Sequence, residues 1–159
     1  MRIYPVEWPG PGRLAVVSRP SPESIDQELA ALRAAGYEVL VSLLSGPEAT
    51  ALGLRDEREA CQRAGLAFEW HPVFDFSVPE GDCFREALSA LYARFRQGAA
   101  VAAHCRGSLG RSPMLIASLM VMGGASPDDA WGRVSRARGL PVPETDAQRQ
   151  WVRDLVPPS

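Results

Sequence analysis

The chain has 159 residues, of which 46% are hydrophobic and 23% charged, a balance typical of a folded domain. That balance excludes disorder, collagen and coiled-coil organisation, and such a length buries about two-thirds of its unfolded surface in one core. All 17 basic residues are arginines and the formal net charge is −2, which argues against nucleic-acid binding driven by bulk positive charge.

Three cysteines are too few and too scattered for a disulfide framework, so a reducing, cytoplasmic setting is expected. Met1-Arg2-Ile3-Tyr4-Pro5 turns to Pro and Gly before any apolar stretch develops and does not read as a signal peptide. The longest apolar run, Met114 to Met122, falls well short of the roughly 20 residues a membrane span needs. Neither a membrane nor a nucleic-acid partner is expected, and a monomer is the default.

Ile3 to Gly12, rich in Pro, Gly and aromatics, reads as an irregular lead-in, and Leu14 to Ser18 as a short strand. Ser21-Pro22-Glu23 has the form of a helix start, Ile25, Leu29 and Leu32 follow at helical spacing, and Gly36 is a stop. Tyr37 to Leu44 is a nearly continuous apolar run, as expected of a strand buried on both faces. Arg55 to Ala64 predicts an amphipathic helix and Leu66 to Val73 a strand leading into Phe74-Asp75-Phe76.

From Pro79 a helix is predicted on Phe84, Leu88, Leu91 and Phe95, ending at Gly98. Ala99 to Ala103 is a short buried strand, and Ser112 to Met122 an apolar helix. Ser126 caps the next helix, and Thr145 to Gln148 has the form of a capping box that opens the last one. This alternation predicts an α/β fold with a mainly parallel central sheet flanked by helices, in one domain over residues 1–159.

The chemistry concentrates in His104-Cys105-Arg106-Gly107-Ser108-Leu109-Gly110-Arg111-Ser112. A Cys followed after five residues by an Arg is a weak signal alone. Here an apolar strand precedes the Cys, two glycines lie in the loop, and an apolar helix follows the Arg. Such a turn lets backbone N–H groups from Arg106 through Gly110 converge on one point, where the helix N-terminus adds positive potential. A phosphate fits that cradle, and Arg111 can clasp two of its oxygens. The same donors favour thiolate over thiol at Cys105, placing a nucleophile against bound phosphorus.

The departing oxygen needs a proton donor. Asp75, in a loop that begins where a predicted strand ends, belongs to the same edge of a parallel sheet as Cys105. Glu80 and Asp82 are nearby rivals. Ser112 can hydrogen-bond the sulfur as it leaves, and His104 orients Cys105 and its loop. Gln148 either positions water or serves only the capping box.

On these residues the chain resembles the cysteine-dependent protein tyrosine phosphatase superfamily, and most closely the small atypical dual-specificity phosphatases with their bacterial and archaeal relatives. His104-Cys105 through Arg111-Ser112 is similar to the signature loop, Asp75 with Pro79 to the acid loop. Arg138 followed by Glu144-Thr145 and Gln148 is similar to a segment these enzymes carry after the signature helix. The resemblance implies a nucleophilic Cys105, a phosphate-binding Arg111, a general acid Asp75, a phosphorylated protein or peptide substrate, and no metal or organic cofactor. The loop centre, Arg106-Gly107-Ser108-Leu109, departs from the small residues many relatives place there.

Other readings stay open on sequence alone. The substrate could be a phosphoinositide, nucleotide or RNA end, or the cradle could bind a phosphoprotein without turnover. Cys61 and Cys83 read as structural thiols, or as partners for an oxidised Cys105 if close to it. His71 reads as a packed residue, and three Cys with two His show no metal-ligand spacing.

Overall fold

The computed structural model describes residues 1–156. Strands β1 (Ile3–Val6), β2 (Arg13–Val17), β3 (Val39–Ser42), β4 (Ala67–Trp70) and β5 (Ala100–His104) form one sheet in the order β1-β2-β5-β3-β4. Among the described residues the β1–β2 pair is antiparallel and the other three pairs are parallel. The helices are α1 (Ile25–Ala34), α2 (Gly46–Ala51), α3 (Glu57–Ala64), α4 (Cys83–Arg96), α5 (Arg111–Met122), α6 (Pro127–Arg138) and α7 (Asp146–Arg153), and a 3-10 turn, Pro22–Ser24, precedes α1.

Side chains alternate across the sheet. Ala15, Val17, Leu40 and Ala102 pack beneath α1 and α3, with Leu29, Leu32 and Cys61. Val16, Val41, Val101 and Ala103 face α4 to α7 across the other, larger core. In that core Leu88, Leu91 and Phe95 bring one stripe of α4 inward, each worth roughly 1.5–3 kcal/mol of burial. Helix α5 is buried from Arg111 through Val121, which its apolar sequence on every side permits.

Three departures from the sequence reading have local causes. Ile3 to Gly12 is not wholly irregular, because Ile3–Val6 pairs with Val17–Leu14. Pro5 is tolerated there because β1 is an edge strand. Helix α2 was not expected, yet Ser45 and Glu48 form a reciprocal capping box around it, with Pro47 in the first turn. Its acid turns inward, so the helix lacks the apolar stripe that reveals a helix in sequence. Helix α4 begins at Cys83 rather than Pro79, after Gly81 takes a φ of +74°.

The sheet positions a site by topology. Strand β5 lies between β2 and β3, and all five of its residues are buried. The chain therefore emerges at Cys105 in the middle of the carboxyl edge, flanked by the segments that follow β2, β3 and β4. Cys61 lies in the core on the opposite face from Cys105. Burial pushes its thiol up to about 12, Glu57 adds to the shift, and Arg58 only partly offsets it. Native protein treated with iodoacetamide at pH 8 is expected to be spared at Cys61 and labelled there only after unfolding. Peptide mapping by mass spectrometry would check this, and rapid native labelling at Cys61 would contradict it.

Candidate active site

Cys105 directly follows β5 with 2% of its surface exposed. Its Sγ lies 3.3 Å from the hydroxyl of Ser112, in the first turn of α5. His104 is fully buried. One ring nitrogen contacts the Cys105 carbonyl at 3.2 Å and Nε2 lies 2.6 Å from the buried Glu57 carboxylate. Both nitrogens are engaged and neither reaches the sulfur, so the ring braces the strand end. Glu57 was not singled out from sequence; a buried acid opening an amphipathic helix looks like any charged first-turn residue.

The loop to Arg111 is pinned from outside. Ser108, not either glycine, takes the left-handed conformation, with a φ of +59°. Such backbone costs a serine about 1–2 kcal/mol. Here the Ser108 hydroxyl donates to the Val17 carbonyl at 2.7 Å and Arg138 Nε donates to the Ser108 carbonyl at 3.0 Å. Leu109 is half-buried against the larger core. Gly107 is uncrowded, whereas at Gly110 a Cβ would lie 2.8 Å from the Gln148 amide and from the Glu144 carboxylate, which would have to shift.

Arg111 is the most heavily tied residue of the edge. It is 1% exposed, and Glu48 accepts from Nη1 at 2.6 Å and from Nη2 at 2.9 Å. Nη1 also donates to the Val73 carbonyl at 2.8 Å, and Nη2 lies 3.0 Å from Asp75. Its Nε–H is buried with no partner among the described residues. Burial on its own would push the Glu48 carboxyl up. Hydrogen bonds from Arg111 and from the Ser45 backbone and hydroxyl, with the guanidinium charge, outweigh it and hold Glu48 at about 2. Sequence reasoning missed Glu48, although Ser45-Gly46-Pro47-Glu48 has the spacing of a capping box.

Asp75 reaches this cluster from the segment after β4. Its side chain is 37% exposed, and Oδ1 accepts from the Phe76 N–H at 3.1 Å. Phe76 holds a φ of +60°, and both Phe74 and Phe76 are largely exposed beside the acid. Gln148 closes the capping box of α7 with Thr145 and also donates from Nε2 to the Ser77 carbonyl at 3.2 Å. It thus ties the acid loop to the last helix. Glu144 sits on the same side, and burial together with the Asp75 charge raises its carboxyl, Arg111 opposing.

The structure brings Cys105, Ser112, Arg111, Asp75 and Gln148 to one edge. Arg106 instead turns an exposed side outward and lines a separate groove. The sequence rivals of Asp75 stay away from Arg111: Asp82 precedes α4, and Glu80 lines a cleft with His71 and Cys83. His71 packs edge-on against Phe84 and bonds Glu69.

The spacing at Gly110 gives a direct test of the loop. Gly110→Ala is expected to push the Gln148 amide off Ser77 and lower kcat/KM for an aryl phosphate roughly ten- to a hundredfold. Steady-state kinetics would check it, and an unchanged rate would mean the amide moves aside freely.

A thiol at the end of a central parallel strand, closed by a short loop onto a buried arginine at a helix start, defines the cysteine-dependent protein tyrosine phosphatase class. The family model described as Tc-R-P, polymorphic toxin system, DSP-PTPase phosphatase, matches residues 16–125. The chain belongs to this family. Over 76 residues it is 32% identical to protein tyrosine phosphatase type IVA 3 of Mus musculus, a match spanning 46% of this chain and 44% of that relative. Among solved structures, kinase associated phosphatase superposes with a TM-score of 0.84 at 18% identity, over 96% of this chain and 92% of that one. The active form of Tk-PTP superposes with a TM-score of 0.72 at 27% identity, over 94% and 97% of the two chains.

Proposed function

We propose that the protein is a protein-tyrosine or dual-specificity phosphatase, one domain over residues 1–159, that hydrolyses phosphomonoesters on proteins through a phosphocysteine at Cys105. The observation that carries this reading is Arg111: a buried guanidinium held by Glu48, next to the thiol, with Nε–H still unpartnered among the described residues. A buried donor of that kind beside a nucleophile suits an anion that arrives with its own acceptors.

In the first step the Cys105 thiolate attacks phosphorus, an S–P bond forms, and the P–O bond to the leaving group breaks. Asp75 gives its proton to the departing oxygen. A phosphate on Arg111 competes with Asp75 for Nη2 and releases the carboxyl toward that oxygen. In the second step Asp75 takes a proton from water as it attacks phosphorus, the S–P bond breaks, and inorganic phosphate leaves. The Ser112 hydroxyl, 3.3 Å from Sγ, stabilises the departing thiolate. A reducing, cytoplasmic setting belongs to this reading, because the nucleophile acts only as a thiolate.

The role of Asp75 is tested by the leaving group. Asp75→Asn is expected to slow hydrolysis of an ester with a basic leaving group by about 10²–10³-fold. An activated aryl phosphate, whose leaving group needs no proton, should be far less affected in its first step. It should then give a burst of aryl alcohol matching the enzyme concentration. Equal losses on both substrates with no burst would remove Asp75 from proton transfer.

A further inference from the structure

Strand β4 ends the sheet, and among the described residues no strand pairs with its outer side. The N–H groups of Ala67 and His71 donate to the carbonyls of Glu38 and Ser42, toward β3. Backbone polar groups alternate along a strand, so those of Phe68 and Trp70 point to the open side. There the Phe68 carbonyl takes a long 3.5 Å contact from Arg58 Nη1. The strand, Ala67-Phe68-Glu69-Trp70, lacks the proline or free charge that blunts many sheet edges. Its one charge, Glu69, is engaged by His71 at 2.9 Å and by Arg94 at 3.2 Å.

Beside that edge an open pocket of about 370 Å³ lies between α2, α3 and β4. Phe68 and Trp70, alternate residues of the strand, line it with Ala49, Leu54, Arg55 and Arg58. Trp70 is 43% exposed, yet its Nε1–H donates to the Leu44 carbonyl at 2.7 Å, which fixes the ring in the pocket wall. The Arg58 guanidinium lies 5.1 Å from the centre of the Phe68 ring. Among the described residues neither Arg55 nor Arg58 forms an ion pair, whereas Arg63, Arg94, Arg111, Arg133 and Arg153 all do. Of the two acids in the lining, Glu57 is taken up by His104 at 2.6 Å, which leaves Glu59 against two cations. Trp70 and His104 both stand opposite Ser42, so this wall is two strands, or about 10 Å, from the strand that carries the thiol.

We infer that this edge is a docking site for an extended peptide segment of a partner protein, which adds a strand to β4 and sets a bulky apolar side chain in the pocket between acidic neighbours. Main-chain hydrogen bonds to Phe68 and Trp70 supply the affinity, and the pocket selects the side chain. Two aromatic walls with Leu54 and Ala49 suit an aromatic residue, and the volume accommodates its ring. Residues two apart in a strand share a face, so carboxylates on either side of that residue come to Arg55 and Arg58. The recognised pattern is then acid, any residue, aromatic, any residue, acid. No phosphate enters this recognition, and it stands apart from the phosphatase reading above.

The test is fluorescence anisotropy of a labelled, unphosphorylated peptide, Ser-Asp-Thr-Phe-Thr-Asp-Ser, capped at both ends, with the full chain. Saturable binding to one site is expected. N-methylation of the phenylalanine and of the threonine after it should weaken binding about tenfold or more, since one of two successive amides must face β4. Replacing both aspartates of the peptide by lysine should cost about fivefold or more, and Arg55→Glu should narrow that gap. Thr50→Trp places a ring in the pocket from an exposed position of α2 and should abolish binding without lowering the melting temperature. No saturable binding up to about 1 mM peptide would overturn the site. Equal affinity for the methylated peptide would overturn strand addition, and indifference to Thr50→Trp would overturn the pocket. Displacement by about 10 mM inorganic phosphate at constant ionic strength would put the peptide at the thiol loop instead and overturn the inference. Each of these results leaves the aryl phosphate kinetics, and so the phosphatase reading, untouched.

Discussion

Cys105→Ser is expected to lower hydrolysis of an aryl phosphate by at least about 10³-fold while leaving the fold intact. The swap replaces one small buried atom with another at a position 2% exposed, so the melting temperature should move little. The chemistry should suffer far more, because a serine hydroxyl needs a base to become a nucleophile. The nearest imidazole, His104, is committed to Glu57 and to the Cys105 carbonyl and cannot serve. The measurement is hydrolysis with a chelator present, from mildly acidic to neutral pH, alongside thermal melts of both proteins. Equal rates in both would take the reaction off the thiol, and hydrolysis in neither would move a binding module without turnover to the front.

Glu48→Ala is expected to be strongly destabilising. It leaves the Arg111 cation buried with two backbone carbonyls and the partly exposed Asp75 for company. Removing one partner of such a pair costs about 3 kcal/mol, which for a domain of this size lowers Tm by roughly 6–12 °C. Glu48→Gln separates charge from shape, since it keeps an acceptor and loses the ion pair. Because folding lowers the Glu48 carboxyl from its ordinary 4.5 to about 2, its contribution is fully present above pH 4.5 and is lost as pH falls through 2. That shift corresponds to something on the order of 3 kcal/mol. Denaturant melts should therefore show an acid limb between pH 4.5 and 2 in the wild type that is flattened in Glu48→Gln. Parallel limbs in the two proteins would mean that Arg111 is held by other contacts.

The parts of this site that follow chain order were legible in the sequence. The apolar strand before Cys105, the apolar helix after Arg111 and the capping box at Thr145 each rest on neighbours in the chain, so periodicity and capping rules find them. Glu48 and Glu57 were not legible, because their partners, Arg111 and His104, lie 63 and 47 residues away. An inward acid on a short helix has the same local pattern as a solvated one.

Local rules misjudged two backbone details. The two glycines of the loop suggest where its freedom lies, whereas the left-handed residue is Ser108, which the Val17 carbonyl and Arg138 hold there. The lead-in reads as irregular in sequence because Pro5 and the glycines break a strand pattern. It pairs with β2 on one side only, and a strand at the edge of a sheet tolerates a proline.

Arg111 also sets how this edge of the molecule breathes. One guanidinium reaches the carbonyl of Leu43 after β3, Glu48 on α2, the carbonyl of Val73 after β4, and Asp75 beyond it. None of these segments can swing away without stripping contacts from a buried cation that the others still hold. In hydrogen-exchange terms they form one opening unit, whose amides gain protection together when an anion joins the guanidinium and lose it together when the cation is removed.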